Sequence, residues 1–169
     1  MAQLFSLGVM ATHVTPYAGY TQFGLSSSPK ATETDPRDFW SDEAFRDRLA
    51  AAPFALSVGT NTYGEVPVDI EVLDAPSQLS FDDWDHIVEA SIDISSGILE
   101  VSGCPDPEPD ATIQVLPGIY EVRVYFRGLS GGRDDGGDYM GDSYLIHLWQ
   151  GRAISKKVLK RFEDHQHDT

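Results

Sequence analysis

Four carboxylates fall within nine positions in the loop Arg133-Asp134-Asp135-Gly136-Gly137-Asp138-Tyr139-Met140-Gly141-Asp142. Carboxylates at this density can do two kinds of chemistry. They can surround a hard cation, since calcium takes about six to eight oxygen ligands and Asp-rich glycine loops supply them. They can also accept charge-assisted hydrogen bonds from the Lys and Arg of a partner protein. The spacing departs from the EF-hand pattern, so calcium at 134–142 rests on composition alone, and no cofactor is expected. A solvated loop would carry the same residues. A second acidic cluster, Asp82, Asp83 and Asp85, surrounds Trp84. Asp before a strand is ordinary turn chemistry, and a Trp beside it belongs either to the core or to an interface, where it anchors.

Other chemistry is poorly represented. Cys104 stands alone, so it forms no internal disulfide, and Asp106 and Glu108 beside it would raise its pKa rather than activate it. His13, His86 and His147 are far apart, and His165 and His167 lie in the tail. The chain has no H-x-x-x-H on a credible helix, C-x-x-C, G-x-S-x-G or phosphate-binding glycine fingerprint. Paired carboxylates of the hydrolase kind are compatible with so many acids, but the leading expectation is a protein that is not an enzyme.

Charge sharpens that expectation. The 169 residues hold 12 Lys and Arg against 27 Asp and Glu, a net charge of −15. Binding nucleic acid through phosphates needs surplus cations, and an anionic membrane would repel this chain. The excess is local. Residues 65–142 contain 18 acids and only Arg123, Arg127 and Arg133, which equals the charge of the whole chain. Five of the twelve basic residues lie within 152–161. A negative face could be a solubility coat, or it could dock on a positive partner.

The elements that must position these groups are mostly strands. Trp84, His86, Val88, Ala90, Ile92 and Ile94 alternate with Asp85, Ile87, Glu89, Ser91 and Asp93, the pattern of a half-buried antiparallel strand. Ser96-Gly97 turns it back through Leu99 and Val101. Period two recurs at 54–58, 68–73, 113–115, 120–126 and 143–150, while the apolar, aromatic segment 4–23 reads as one or two strands with a bend at Pro16 and 24–38 as a loop. These short strands, joined by Gly and Pro turns, predict an all-β or mainly β chain folded as an antiparallel β-sandwich. One short helix is expected near 41–52, capped by Ser41, with Phe45, Leu49 and Ala52 buried and Pro53 ending it. The spacing of Ile154, Val158 and Phe162 predicts a basic amphipathic helix after 152. The domain division is therefore 1–151, the sandwich, and 152–169, a basic helix and tail. With one cysteine, no cationic-then-apolar N-terminus and no long apolar run, the chain reads as soluble and cytoplasmic.

The stretch Leu116-Pro117-Gly118-Ile119-Tyr120, then a strand, an acidic loop, and Asp142-Ser143-Tyr144-Leu145-Ile146-His147-Leu148-Trp149, resembles the competence-locus ComJ-type proteins. These are small acidic bacterial proteins, and they include a nuclease inhibitor. The resemblance spans about residues 54–150 and excludes the basic C-terminal segment. It implies a β-sandwich that neutralises a nuclease by binding. Joined with the charge, it yields the expected function: an inhibitor or immunity protein for a basic partner, a nuclease or toxin. Asp134, Asp135, Asp138, Asp142, Asp82, Asp83 and Asp85 would supply charge, and Trp84 or Tyr139 the anchor. A calcium- or small-ligand-binding sandwich module is the alternative.

Overall fold

Among the described residues, the runs at 68–73, 86–94, 118–127 and 143–150 that alternate apolar and polar side chains are strands. The computed structural model describes residues 10–27, 39–105, 108–138 and 140–163. One sheet has six strands in the order β1 (Met10–Val14), β7 (Val68–Leu73), β12 (Ser143–Gln150), β11 (Gly118–Arg127), β8 (His86–Ile94) and β13 (Lys157–Lys160). The other has five: β10 (Ala111–Gln114), β9 (Ile98–Ser102), β3 (Gln22–Ser27), β5 (Ala55–Gly59) and β4 (Leu49–Ala52). A short ribbon pairs β2 (Tyr17–Ala18) with β6 (Gly64–Glu65). Neighbours are antiparallel except β12 and β7, which run parallel.

The two sheets face each other across one apolar core. Ile70, Val88, Ala90, Ile92, Val122, Val124, Ile146 and Leu148 point inward from one side, and Phe23, Leu25, Leu56, Val58, Leu99 and Val101 from the other. Phe23 and Tyr144 meet edge-on across the interface, with centroids 5.5 Å apart. Burying side chains of this size is worth about 1.5–3 kcal/mol each, so this layer dominates the folding energy. The mainly β sandwich expected from the period-two runs is the observed architecture.

Four local expectations are corrected. The Ser96-Gly97 turn does not close a hairpin: β8 lies in the six-stranded sheet and β9 in the five-stranded one, so the turn carries the chain from one layer to the other. The helix α1 covers only Asp42–Asp47, with Ser41 accepting the Ala44 amide as its cap. Leu49–Ala52 then forms a strand that returns along β5 through a turn at Pro53-Phe54. Tertiary pairing overrides the alanine-rich helical propensity there. Phe45, expected in a buried stripe, is 66% exposed. Residues 24–27, read as loop, belong to β3. The basic helix after 152 is also absent. Residues 157–160 form β13, which adds to the edge of β8 with a register break between Val158 and Lys160. Strand alternation sends Val158 to the main core and Leu159 to the opposite face of the sheet. Side chains hold this segment down: Asp47 takes Lys156 at 3.1 Å and Arg161 at 2.7 Å. His86 fixes it at the same end, its Nδ1 accepting the Phe162 amide at 3.1 Å while Nε2 donates to the Asp47 carbonyl at 2.8 Å. The tail histidines His165 and His167 lie outside the described residues.

Candidate functional site

The acidic loop is built from its base outward. Gly128 and Gly141 both hold positive φ, and a side chain on Gly128 would collide with the Gly141 carbonyl, so the two ends of the loop touch. Asp142 closes the base. It is 2% exposed and accepts the backbone N–H groups of Asn61 at 3.0 Å and Thr62 at 3.2 Å, together with the hydroxyls of Thr62 and Tyr144. Burial and the Asp142 carboxylate together push the Tyr144 phenol well above its ordinary pKa. Asp85 secures the other end by accepting the Leu129 amide at 2.9 Å, and the Asn61 side chain donates to the Leu129 carbonyl at 3.0 Å. Asp142 and Asp85, both read from sequence as partner contacts, therefore serve the loop itself.

Farther out, Asp134 accepts the amides of Gly136 and Asp138, each at 2.9 Å, which shapes the tip. Asp134, Asp135 and Asp138 are exposed. Tyr139 lies outside the described residues. Among the described residues, no group of three or more His, Cys, Asp or Glu side chains stands together as a metal-holding set.

Trp84 is 8% exposed and packs with Ile87 and Tyr125 on the outer face of the six-stranded sheet. The Arg127 guanidinium lies 4.0 Å above its ring. Its place is therefore in a small second core, whereas Asp82 and Asp83 beside it are exposed. The same outer face carries a polar network that no spacing in the sequence announces. His147 Nε2 lies 2.5 Å from Glu71, its Nδ1 lies 2.8 Å from Ser77 Oγ, and that oxygen lies 2.8 Å from the Tyr125 hydroxyl. The Arg123 guanidinium continues it, 3.3 Å from the Tyr125 oxygen and 2.5 Å from Glu89. With Glu71 ionised, each hydrogen can be placed: Arg123 donates to Tyr125, Tyr125 to Ser77, Ser77 to His147, and His147 to Glu71. Burial lowers the His147 pKa, with Glu71 pulling the other way. The arrangement clamps the 74–85 segment to the sheet. The Cys104 thiol is half-buried, and burial raises its pKa.

A feature that sequence reading missed lies beside the acidic loop. Tyr17, Tyr20 and Tyr63 are 52%, 66% and 54% exposed and meet edge-on, with the Tyr63 centroid 6.2 Å from that of Tyr17 and 6.0 Å from that of Tyr20. Tyr20 also lines a groove of about 400 Å³ whose other walls include Trp40, Phe45 and Arg48. Trp40 is fixed there by its Nε1 hydrogen bond to Gln22, at 2.9 Å, and lies 5.1 Å from the Phe45 ring. Tyr20, Thr21 and Arg48 all have φ between 54° and 61°, and all three line this groove. Each left-handed non-glycine residue costs about 1–2 kcal/mol. Arg48 has a local reason, since it ends α1 with its amide on the Ala44 and Phe45 carbonyls. The only available signal was that Tyr17-Ala-Gly-Tyr20 and Asn61-Thr-Tyr-Gly64 set tyrosines close to turn-forming glycines.

The class these features define is a mainly β, two-sheet sandwich of the ComJ type, and the resemblance read from the sequence holds at the level of fold. Two solved structures share it. The crystal structure of ComJ, inhibitor of the DNA degrading activity of NucA, from Bacillus subtilis, superposes with a TM-score of 0.60 over 89% of this chain and 100% of its own, at 14% identity. A protein described as crocagin biosynthetic gene J superposes at 0.58 over 86% of this chain and 100% of its own, at 17% identity. No protein-family profile matches the chain, and no curated protein matches it in sequence. Among the described residues, no helix is long and apolar enough to cross a membrane.

Proposed function

We propose that this chain is a non-enzymatic inhibitor that binds a basic, DNA-degrading nuclease and blocks access of the substrate. The observation that carries the reading is the whole-chain likeness to an inhibitor of a DNA-degrading protein. The location of the charge supports it. A nuclease site attracts phosphates with Lys and Arg, and carboxylates presented to that site occupy the same positive field. Asp134, Asp135 and Asp138, held out on a loop whose base is fixed by Asp142 and Asp85, are the groups for this role, with Asp82 and Asp83 on a second exposed segment. The long-range field of a chain at −15 also speeds encounter with a cationic partner.

The test is capture of partners from the native host on tagged chain, followed by plasmid cleavage with the captured fraction. The reading requires a DNA-degrading activity that is retained on the chain, suppressed while bound, and recovered on elution at high salt. Retention of no such activity from any growth phase would contradict it.

A further inference from the structure

We propose that the strip Tyr17–Tyr63–Tyr20–Trp40–Phe45 is the dehydrated anchor of the partner interface, and that its occupant is a cationic protein surface whose arginine side chains lie across the rings. The partner's identity as a nuclease rests on the inhibitor reading; the site and its chemistry do not.

Three observations converge on this strip. First, four of its rings are more than half exposed, yet they are positioned by contact with one another or with Trp40 rather than by the core. Contiguous aromatic surface of this kind marks interaction sites, and Tyr and Trp are the residues that carry interface energy. Second, the left-handed residues Tyr20 and Thr21 both line the groove, and the Tyr20 ring is exposed there. Backbone held in a costly conformation gathers at functional sites. Third, the strip and the acidic loop are joined: Asn61 and Thr62, which immediately precede Tyr63, donate their amides to Asp142 at the loop base.

The net charge of the chain selects the occupant; the groove's own cation, Arg48, is engaged by the Asn61 side chain at 2.9 Å and lies 5.6 Å from the Phe162 ring centroid. A second copy of the chain would bring another −15 to the same place, so self-association through this strip opposes the field. An arginine-bearing surface is drawn in by the carboxylates of 134–138, and its guanidinium groups then stack on the ring faces. Arginine suits both contacts better than lysine, because its planar guanidinium is weakly hydrated and stacks on aromatic faces.

The test uses the full-length isotope-labelled chain, with decaarginine and decalysine peptides as probes, followed by amide NMR. The expected result is that the amides of Tyr20, Thr21, Thr60 and Tyr63 shift with decaarginine at concentrations at least five-fold lower than with decalysine. Tyr20→Ala/Tyr63→Ala, which changes only exposed side chains, should weaken decaarginine binding ten-fold or more with the melting temperature unchanged. Shifts confined to residues 133–138 with the strip silent would overturn the proposal, as would a double variant that binds like the parent. A parallel assay separates the two readings. If the parent suppresses the captured nuclease and the double variant does so equally well, the anchor is wrong and the inhibitor stands. If the parent suppresses no nuclease while the peptide still maps to the strip, the inhibitor reading fails and the anchor stands.

Discussion

The buried Asp142 carboxylate accepts the Thr62 backbone amide at 3.2 Å, and this contact ties the acidic loop to the segment that carries the exposed Tyr63. Asp142→Ala would remove the carboxylate that accepts the Asn61 and Thr62 amides and the Thr62 and Tyr144 hydroxyls. Buried unsatisfied groups cost about 1–3 kcal/mol each when water cannot replace the partner. A loss of about 2–4 kcal/mol is expected in urea unfolding, with faster amide exchange at 60–63 and 128–142. Neutral behaviour of this variant would place the loop anchor elsewhere.

Neutralising the loop tip should act on rate rather than on stability. In Asp134→Asn/Asp135→Asn/Asp138→Asn, the carboxamide oxygen introduced at position 134 still accepts the turn amides, so melting should stay within about 0.5 kcal/mol of the parent. Association with the basic partner should slow about ten-fold at low salt, and the salt dependence should flatten. Stopped-flow measurements at several ionic strengths read both effects. An association rate independent of salt in the parent would remove the electrostatic mechanism.

Trp84→Ala should do the opposite. The ring is buried against Ile87 and Tyr125 under the Arg127 guanidinium. Removing it costs about 3–5 kcal/mol of stability. Binding measured well below the melting temperature should change less than two-fold. A large loss of affinity in a variant that still folds would return Trp84 to the interface.

His86 makes stability depend on pH. Burial lowers its pKa to about 4, below the 6.5 of an unfolded histidine, despite the hydrogen bond to Asp47. The unfolded chain therefore binds more protons between these values, and stability present above pH 6.5 is lost as pH falls towards 4. Those two pKa values give a loss of about 2 kcal/mol between about pH 7.5 and 5.0. Protonation would place a hydrogen on Nδ1 facing the Phe162 amide, so the segment around β13 should loosen first. Hydrogen exchange at 157–162 checks this, and His86→Leu should flatten the dependence. Protection at 157–162 that is unchanged down to about pH 5 would contradict it.

Much of this fold was legible because strands that bury one face must alternate. Ser143–Gln150 follows from its residues, and the turn at Ser96-Gly97 is present, but β8 and β9 lie in different sheets, so that turn joins the two layers instead of closing the hairpin expected there. The errors share a cause. Ile154, Val158 and Phe162 fit a helical spacing, but the open edge of β8 and two distant acceptors, Ser91 and His86, hold the Ile154 and Phe162 amides in an extended chain. Leu49–Ala52 reads as helix until β5 is there to pair with it. The acidic loop was visible as composition, but the roles within it were not. Asp142 and Asp135 look alike in sequence, and only Asn61, Thr62 and Tyr144 make the first a structural group. The aromatic strip draws on residues from 17 to 63, brought together by the small β2–β6 ribbon and the turn before β3, which no local pattern announces.

The most direct measurement is plasmid cleavage by the nuclease fraction captured from the host, with purified chain titrated in at low salt. Cleavage should stop near one chain per nuclease and return as salt is raised, with the triple Asp→Asn variant needing a clear excess. Cleavage that continues unchanged at a large molar excess of a folded chain would contradict the inhibitor assignment.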